Sequence, residues 1–331
     1  MSILAKLRID PFLLGILATV ACAAVLPARG EAAELLGWAT KIAIAVLFLL
    51  YGARLEPREA LAGLRHWRLH AAVLAATFVV FPLLGLALRV LVPSVLSEDL
   101  YTGVLFLCLV PSTVQSSIAF TSIARGNVAG AVVSASLSNL AGVFVTPLLV
   151  ILLLNTTGEV RVSASAVLAI VVQLLLPFLA GQLLRPRLGW VLRRPPLLTV
   201  VDRGSVYLVV YAAFSAGVVQ GIWKGLSAKD LLATVAVCAA LLAVVLCATA
   251  LGSRWLGFTR PDRIVMTFCG SKKSLATGLP MASVLFAGHA VGLIVLPLML
   301  FHQIQLITCA ALARRYARAD QTEAAEPAIA R

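Results

Sequence analysis

The chain has 331 residues, of which 61% are hydrophobic and 12% are charged, and its mean hydropathy is +1.01. Soluble domains carry about 25% charged residues, so this composition excludes an ordinary soluble protein and indicates an integral membrane protein surrounded by the lipid bilayer. The net charge of +13 is then explained by arginine-rich loops at the membrane surface, and nucleic acid is not an expected partner.

Ten apolar stretches are long enough to cross a bilayer, since one helical crossing takes about 20 residues. Glycine, proline or serine interrupts several of them. We therefore predict an all-α polytopic membrane protein with ten transmembrane helices. The predicted spans are residues 11–28, 35–53, 70–93, 101–123, 128–154, 163–184, 201–222, 230–252, 263–286 and 289–312.

The loops between these spans differ in positive charge. Of the 27 lysine and arginine residues, nineteen lie in the termini and one set of alternate loops, and five lie in the other set. Cytoplasmic loops carry the excess of lysine and arginine. The asymmetry predicts that both termini are cytoplasmic, in the inner (plasma) membrane of a bacterium.

The two halves of the chain resemble each other in their fourth spans. Pro111 in the first half and Gly270 in the second are each followed by a polar, serine-rich cluster. Because five spans per half is an odd number, the two repeats must be inverted. Broken helices at equivalent positions are typical of secondary transporters. We predict a first repeat at 1–157, a second at 158–313 and a disordered cytoplasmic tail at 314–331.

Two adjacent lysines, Lys272 and Lys273, lie in a run that is otherwise apolar from Ile264 to Phe286. A lysine at the bilayer centre costs about 2.5–3.5 kcal/mol on insertion scales, so such a pair indicates a functional site. The ammonium groups could attract an anionic substrate, or one lysine could release its proton and couple transport to protons. The structural alternative is snorkelling, or pairing with carbonyls at a helix end.

Serines of the first half add to this site. Ser112 and Ser116 are four residues apart, as are Ser134 and Ser138, so each pair shares a helix face. Hydroxyls and freed carbonyls can hold a small cation, and freed N–H groups can hold an anion. The alternative is close helix packing by small residues.

The function class follows from the motifs that the sequence contains and from those that it lacks. The sequence has no Walker A, G-x-S-x-G or dinucleotide-binding motif, so we do not predict an enzyme. A secondary active transporter of an organic anion is the preferred interpretation, and a non-transporting membrane scaffold or regulator is the alternative. No cofactor is predicted beyond Na⁺ or H⁺ as coupling ion, and the oligomeric state is left open.

Three motifs resemble the bile acid:sodium symporter family. Ala-Arg-Gly-Asn at 124–127 is similar to the turn that closes the fourth span in that family. Pro-Ser-Thr-Val-Gln-Ser-Ser at 111–117 and Cys-Gly-Ser-Lys-Lys-Ser-Leu-Ala at 269–276 resemble its SBF-like branch. The resemblance extends from the first span to about Leu312.

The resemblance implies a fold and an activity. Its members have two inverted five-helix repeats, a panel domain of spans 1, 2, 6 and 7, and a core domain of spans 3–5 and 8–10. Spans 4 and 9 are broken and cross at mid-membrane. The members move organic anions, usually with sodium, by alternating access.

The family's sodium ligands match this sequence only in part. A span-4 serine–asparagine pair corresponds to Ser116 and Ser117, and a span-3 glutamine corresponds to Thr77. Strict alignment places Ala131 and Ala135 at the span-5 hydroxyl positions. The span-9 glutamate shared by both sites is missing, since Phe268 and Cys269 precede Gly270.

A lysine ammonium is therefore expected to fill the role of a bound cation, which makes sodium coupling doubtful. The transporter would then be coupled to protons, independent of sodium, or a facilitator. The sodium candidates are Ser116, Ser117, Ser134 and Ser138. The complete candidate set for substrate and ion binding is Thr77, Ser112, Gln115, Ser116, Ser117, Asn127, Ser134, Ser138, Ser271, Lys272, Lys273 and Ser274.

Overall fold

The structure is a computed structural model that describes residues 11–54, 66–157, 168–169, 171–221, 223 and 226–329. The described residues form helices and contain no strand. The start of the sixth predicted span and the first residues of the predicted second repeat lie outside them. Thirteen helical elements are numbered here in chain order, each with its bounds where it is introduced.

Among the described residues, six helices are long and apolar enough to cross a membrane. Two shorter helices are also apolar, α1 (Pro11–Val25) and α7 (Val171–Leu184). A membrane-spanning architecture follows from this set. The six long helices are α2 (Glu31–Arg54), α3 (Trp67–Leu91), α6 (Val128–Thr157), α9 (Pro195–Val219), α10 (Ala228–Trp255) and α13 (Val291–Ile329).

Two further apolar regions are each split into a pair of short helices. The first pair is α4 (Glu98–Leu109) and α5 (Gln115–Ile123). The second pair is α11 (Arg260–Gly270) and α12 (Leu275–Leu285). The chain leaves helical geometry between the members of each pair, and we call residues 110–114 the first break and residues 271–274 the second break. A short helix, α8 (Gly189–Leu192), lies in the arginine-rich loop.

The last helix is longer than its predicted span. α13 continues to Ile329, so the backbone of 314–329 is helical where the sequence predicts a disordered tail. Alanine, glutamate and arginine dominate this segment, and these residues have high helix propensity.

Many large apolar side chains point away from the protein interior. Leu183, Val90 and Trp255 are 83%, 79% and 85% exposed. Single exposed apolar residues are ordinary on soluble proteins, but contiguous apolar surface is not. Exposed leucine, isoleucine and valine recur along α2, α3, α6, α7 and α10, as expected for helices that face lipid.

The chain divides into two compact units. Unit 1 comprises Met1–Arg54, Ser163–Leu226 and Leu279–Leu293, and unit 2 comprises Leu55–Val162, Ser227–Gly278 and Ile294–Arg331. In unit 1, α2 packs against α7 and α9, and α1 packs against α9. In unit 2, α3 packs against α6, α10 packs against α11, and α11 also contacts α3, α5 and α6. Both breaks belong to unit 2.

Glycines allow α2 and α7 to approach closely in unit 1. A Cβ atom at Gly52 would overlap the carbonyl oxygen of Phe178, and one at Gly181 would overlap that of Leu49. Small residues at helix contacts permit such packing in membranes. Gln182 Nε2 also donates to the Gly52 carbonyl at 2.7 Å, and Arg54 forms a two-fold hydrogen-bonded ion pair with Asp202.

We expect Gly52→Ala to lower the free energy of unfolding by about 1–3 kcal/mol, the usual effect of overpacking. Gly37→Ala is the control, because it lies in the same helix and a Cβ there meets nothing within 4 Å. Alanine stabilises an exposed helix position by about 0.5–1 kcal/mol relative to glycine. Thermal unfolding in detergent measures both. Equal melting temperatures for the two variants would contradict the close approach.

Candidate functional site

The two breaks meet in unit 2. The backbone N–H of Ser274, in the second break, donates to the carbonyl of Pro111, in the first, at 2.8 Å. Each break frees backbone groups that water cannot reach in a bilayer core, so protein groups must satisfy them.

Four successive carbonyls at the end of α4 are all hydrogen-bonded. Lys273 Nζ donates to the carbonyls of Cys108 and Val110, both at 2.8 Å. The Thr146 hydroxyl donates to the Leu109 carbonyl at 2.8 Å. The Pro111 carbonyl accepts from Ser274 N–H, as described above. The second break and α6 therefore cap the C-terminal end of α4, where the helix dipole is negative.

The Lys273 ammonium has three carbonyl acceptors. The third is the carbonyl of Thr77 in α3, at 2.9 Å, where the helix widens into a π turn at Ala76–Val80. The ring of Phe81 lies 4.1 Å from the same nitrogen, measured to its centroid. An ammonium has three donors, so all of them are used in this fully buried position. We call these three carbonyls the carbonyl cage.

The backbone of Lys273 is fixed as well. Its N–H donates to Gln305 Oε1 at 2.9 Å, and its carbonyl accepts from Gln305 Nε2 at 2.8 Å. His302 Nδ1 lies 2.8 Å from the same amide nitrogen. The side chain of Gln305 thus binds the second break as a neighbouring backbone segment would, and positions the ammonium at the cage.

Hydroxyl groups cap the end of α11 in return. Ser112 Oγ donates to the Cys269 carbonyl at 2.6 Å, and Ser117 Oγ donates to the Phe268 carbonyl at 3.1 Å. Ser271 Oγ donates to the Thr267 carbonyl at 2.6 Å. The end of α11 is therefore capped by hydroxyls, whereas the Lys273 ammonium contributes to the cap of α4.

Lys272 has a different environment from Lys273. Its ammonium is completely buried and has no hydrogen-bond partner among the described residues. It lies 3.8 Å from the centroid of the Phe120 ring in α5, which is a cation–π contact.

The remaining predicted residues lie in several smaller groups. Ser138 Oγ accepts from Ser112 N–H at 3.1 Å, and Ser274 Oγ donates to Thr277 at 3.0 Å. Gln115 is exposed at the start of α5. Asn127 donates to Asp262 and accepts from Gly130 N–H, both at 2.8 Å.

The four hydroxyls predicted for sodium all have protein partners, and the Thr113 hydroxyl is shared by Ser116 and Ser117. Ser116 lies 2.9 Å from the Thr113 hydroxyl, and Ser134 lies 2.7 Å from His70 Nδ1. Ser117 and Ser138 have the partners given above. The hydroxyl of Thr77 donates to the Val73 carbonyl at 2.9 Å, so Thr77 reaches the site through its backbone rather than its side chain.

Sequence reasoning missed several residues of this region. Gln305 and His302 are three apart in an apolar helix, a spacing that places both on one face and could have indicated them. Asn139 accepts from the Thr277 hydroxyl at 2.9 Å. His70 carries no sequence signal, because its partner Ser134 lies on another helix.

Comparisons with known proteins agree with this architecture. The SBF-like CPA transporter family matches residues 10–318. An uncharacterised protein of Pseudomonas aeruginosa is 55% identical over 317 residues, which are 96% of this chain and 95% of the relative. YfeH of Escherichia coli K12, whose name includes the word symporter, is 49% identical over 95% of this chain and 94% of its own length.

A more distant relative is also similar over nearly the full length. Sodium/bile acid cotransporter 7-B of Xenopus laevis is 28% identical over 93% of this chain and 91% of the relative. The resemblance found in the sequence motifs is therefore confirmed: this integral membrane protein belongs to the SBF-like CPA transporter family.

Proposed function

We propose that this protein is a secondary active transporter that moves a small organic anion by alternating access, with its site where the two breaks meet. The observation that carries the proposal is the buried lysine pair. One ammonium is held by freed carbonyls of a broken helix, and the other is buried with no acceptor among the described residues. Charges at this depth are usually functional, and broken helices build transporter sites. The names of two relatives, a symporter and a sodium/bile acid cotransporter, support transport of a small organic substrate.

We propose ten crossings in two inverted repeats. The six long helices, α1, α7 and the two broken pairs account for ten. The broken pairs occupy the fourth place in each half, which supports the inverted repeat. Unit 1 contains α1, α2, α7 and α9, the helices of the proposed panel domain, and unit 2 contains α3–α6, α10, α11 and most of α13, of the proposed core domain. Leu279–Leu293, which includes most of α12, belongs to unit 1 although the proposal assigns it to the core. We propose that both termini lie in the cytoplasm of a bacterium, and the excess of positive charge in one set of loops supports this.

Sodium is not proposed as the coupling ion. Carbonyls at the ends of broken helices are the groups that coordinate Na⁺ in many transporters, and here the carbonyl cage binds the Lys273 ammonium. The alanines aligned with the family's span-5 hydroxyls, Ala131 and Ala135, lie in an apolar cluster with Val265 and Cys269. Coupling to protons is proposed instead.

The proposal is tested with purified protein in two steps. A thermal-shift screen of organic anions, in sodium and in potassium buffers, identifies compounds that stabilise the protein. Each stabilising anion is then offered to proteoliposomes, with empty liposomes as the control. We expect saturable uptake of at least one of them. Anions that stabilise the protein but never enter the liposomes would instead favour a non-transporting scaffold.

A further inference from the structure

One end of unit 1 carries a cluster of arginines. α2 and α7 end there and α9 begins there, because Gln182 donates to the Gly52 carbonyl and Arg54 pairs with Asp202. The short helix α8 connects α7 to α9 and packs against α9. We call residues 183–200 the arginine surface. Its arginines are Arg185, Arg187, Arg193 and Arg194.

The positive charge of the arginine surface is not balanced by acidic residues of the same segment. From residue 160 to residue 229 the sequence contains one acidic residue, Asp202, and both of its carboxylate oxygens accept from Arg54. The other segments with several arginines, at 54–68, 254–263 and 314–331, each contain acidic residues. Membrane topology explains an excess of arginine on one side. A cluster without carboxylates also attracts anions from outside the chain.

The same surface exposes large apolar side chains next to the charges. Trp190 and Leu183 are 61% and 83% exposed, whereas Val191 is buried and fixes α8 against the protein. The guanidinium carbon of Arg194 lies 5.6 Å from the centroid of the Trp190 ring, which is a cation–π contact. Tryptophan is enriched at membrane–water interfaces. Cationic and apolar groups therefore lie side by side at the end of two apolar helices.

We propose that the arginine surface binds an anionic phospholipid. The exposed guanidinium groups of Arg187, Arg193 and Arg194 donate to the phosphate of the headgroup, since the planar guanidinium fits phosphate oxygens in pairs. The acyl chains pack along Leu183 and Trp190. A zwitterionic phospholipid carries its own cation beside the phosphate, so it gains less from the arginines. This binding surface lies in unit 1, whereas both breaks lie in unit 2, and it does not involve the transported substrate.

The test measures lipid binding to the full-length protein, purified in a nonionic detergent and freed of lipid. Native mass spectrometry counts the bound lipids and gives their dissociation constants. The probes are phosphatidylglycerol and phosphatidylcholine with identical acyl chains, and glycerol 1-phosphate, which has the phosphate without the chains. We expect phosphatidylglycerol to bind at least about tenfold more tightly than either comparison ligand, and more weakly as the ammonium acetate concentration is raised, because salt screens exposed charges.

Two adjacent pairs of exposed arginines provide matched variants. Arg193→Gln with Arg194→Gln is expected to weaken phosphatidylglycerol binding by about 30-fold, because each basic residue near an anionic surface contributes about a fivefold change in affinity. Replacing the same pair with lysine keeps the charge and is expected to retain most of the binding. Arg314→Gln with Arg315→Gln removes an equally exposed pair from α13 and should leave binding unchanged. The Tm of each variant without lipid shows that it is folded.

Three results would overturn the assignment. Equal affinity in the wild type and in the glutamine variant at 193 and 194 would place the lipid elsewhere. Equal affinity for phosphatidylcholine would show that the acyl chains alone are bound, and equal affinity for glycerol 1-phosphate would show a site for soluble phosphates rather than for a lipid.

Discussion

Lys273→Met is expected to destabilise the protein by at least about 3 kcal/mol, because it leaves the carbonyl cage without a donor. Each buried acceptor that loses its partner costs about 1–3 kcal/mol, and the cage has three, at Thr77, Cys108 and Val110. Water does not replace the donor in a bilayer core. Thermal or chemical unfolding in detergent measures the loss.

Lys272→Met is the matched comparison. The neighbouring lysine has the same size and is equally buried, but it donates no hydrogen bond to a described residue. Burying a charge without a partner is costly, so an apolar side chain of similar volume at this position is expected to be neutral or stabilising. The change in stability should therefore have opposite signs in the two variants, or be much larger for Lys273→Met. If both lose the same stability, the two lysines do not have the different roles described here.

The second large effect is expected in the ion dependence of transport. A sodium symporter loses concentrative uptake when Na⁺ is removed, and the name of the Xenopus relative includes sodium. In this chain we expect replacement of Na⁺ by K⁺ to leave the initial rate of anion uptake unchanged. The reason is local: a covalently attached ammonium already occupies carbonyls at the end of α4, and it cannot leave the protein as a sodium ion does.

The hydroxyl groups support the same expectation. Ser117 is bound to the end of α11, Ser134 to His70, and Ser138 to the backbone of Ser112. Each of these three hydroxyls is hydrogen-bonded to a different part of the protein. The sequence adds that no glutamate precedes Gly270. Without that carboxylate, we expect that sodium is not the coupling ion.

The sequence predicted where the helices break better than how the lysines are bound. Pro111 lies within the first break, and Gly270 directly precedes the second. Lys272 and Lys273 were indicated by their cost in lipid alone. Their different directions could not be predicted, because neighbouring residues in a non-helical segment have no fixed angle between them.

Pairing with carbonyls at a helix end is the structural alternative that the sequence offers for these lysines, and Lys273 is bound in this way. Which carbonyls accept could not be predicted, for a physical reason. All three acceptors are backbone carbonyls, and a carbonyl is the same whichever side chain stands beside it. Nothing in the residue types of Cys108 or Val110 indicates a cation site. The link between His70 and Ser134 likewise depends on how α3 packs against α6. The length of a predicted span also does not reveal a break, because one span can consist of two short helices, as α4 with α5 and α11 with α12 do.

The ion dependence of uptake by the wild-type protein is the most direct test of whether the Lys273 ammonium takes the place of a sodium ion. Proteoliposomes are loaded and diluted so that the inward gradient is Na⁺, K⁺ or H⁺, and the initial rate is measured for an anion that the binding screen has identified. The account predicts equal rates with Na⁺ and K⁺, whatever the effect of the proton gradient. Uptake that is concentrative only with an inward Na⁺ gradient would contradict it, because the Lys273 ammonium would then not have taken the place of the sodium ion.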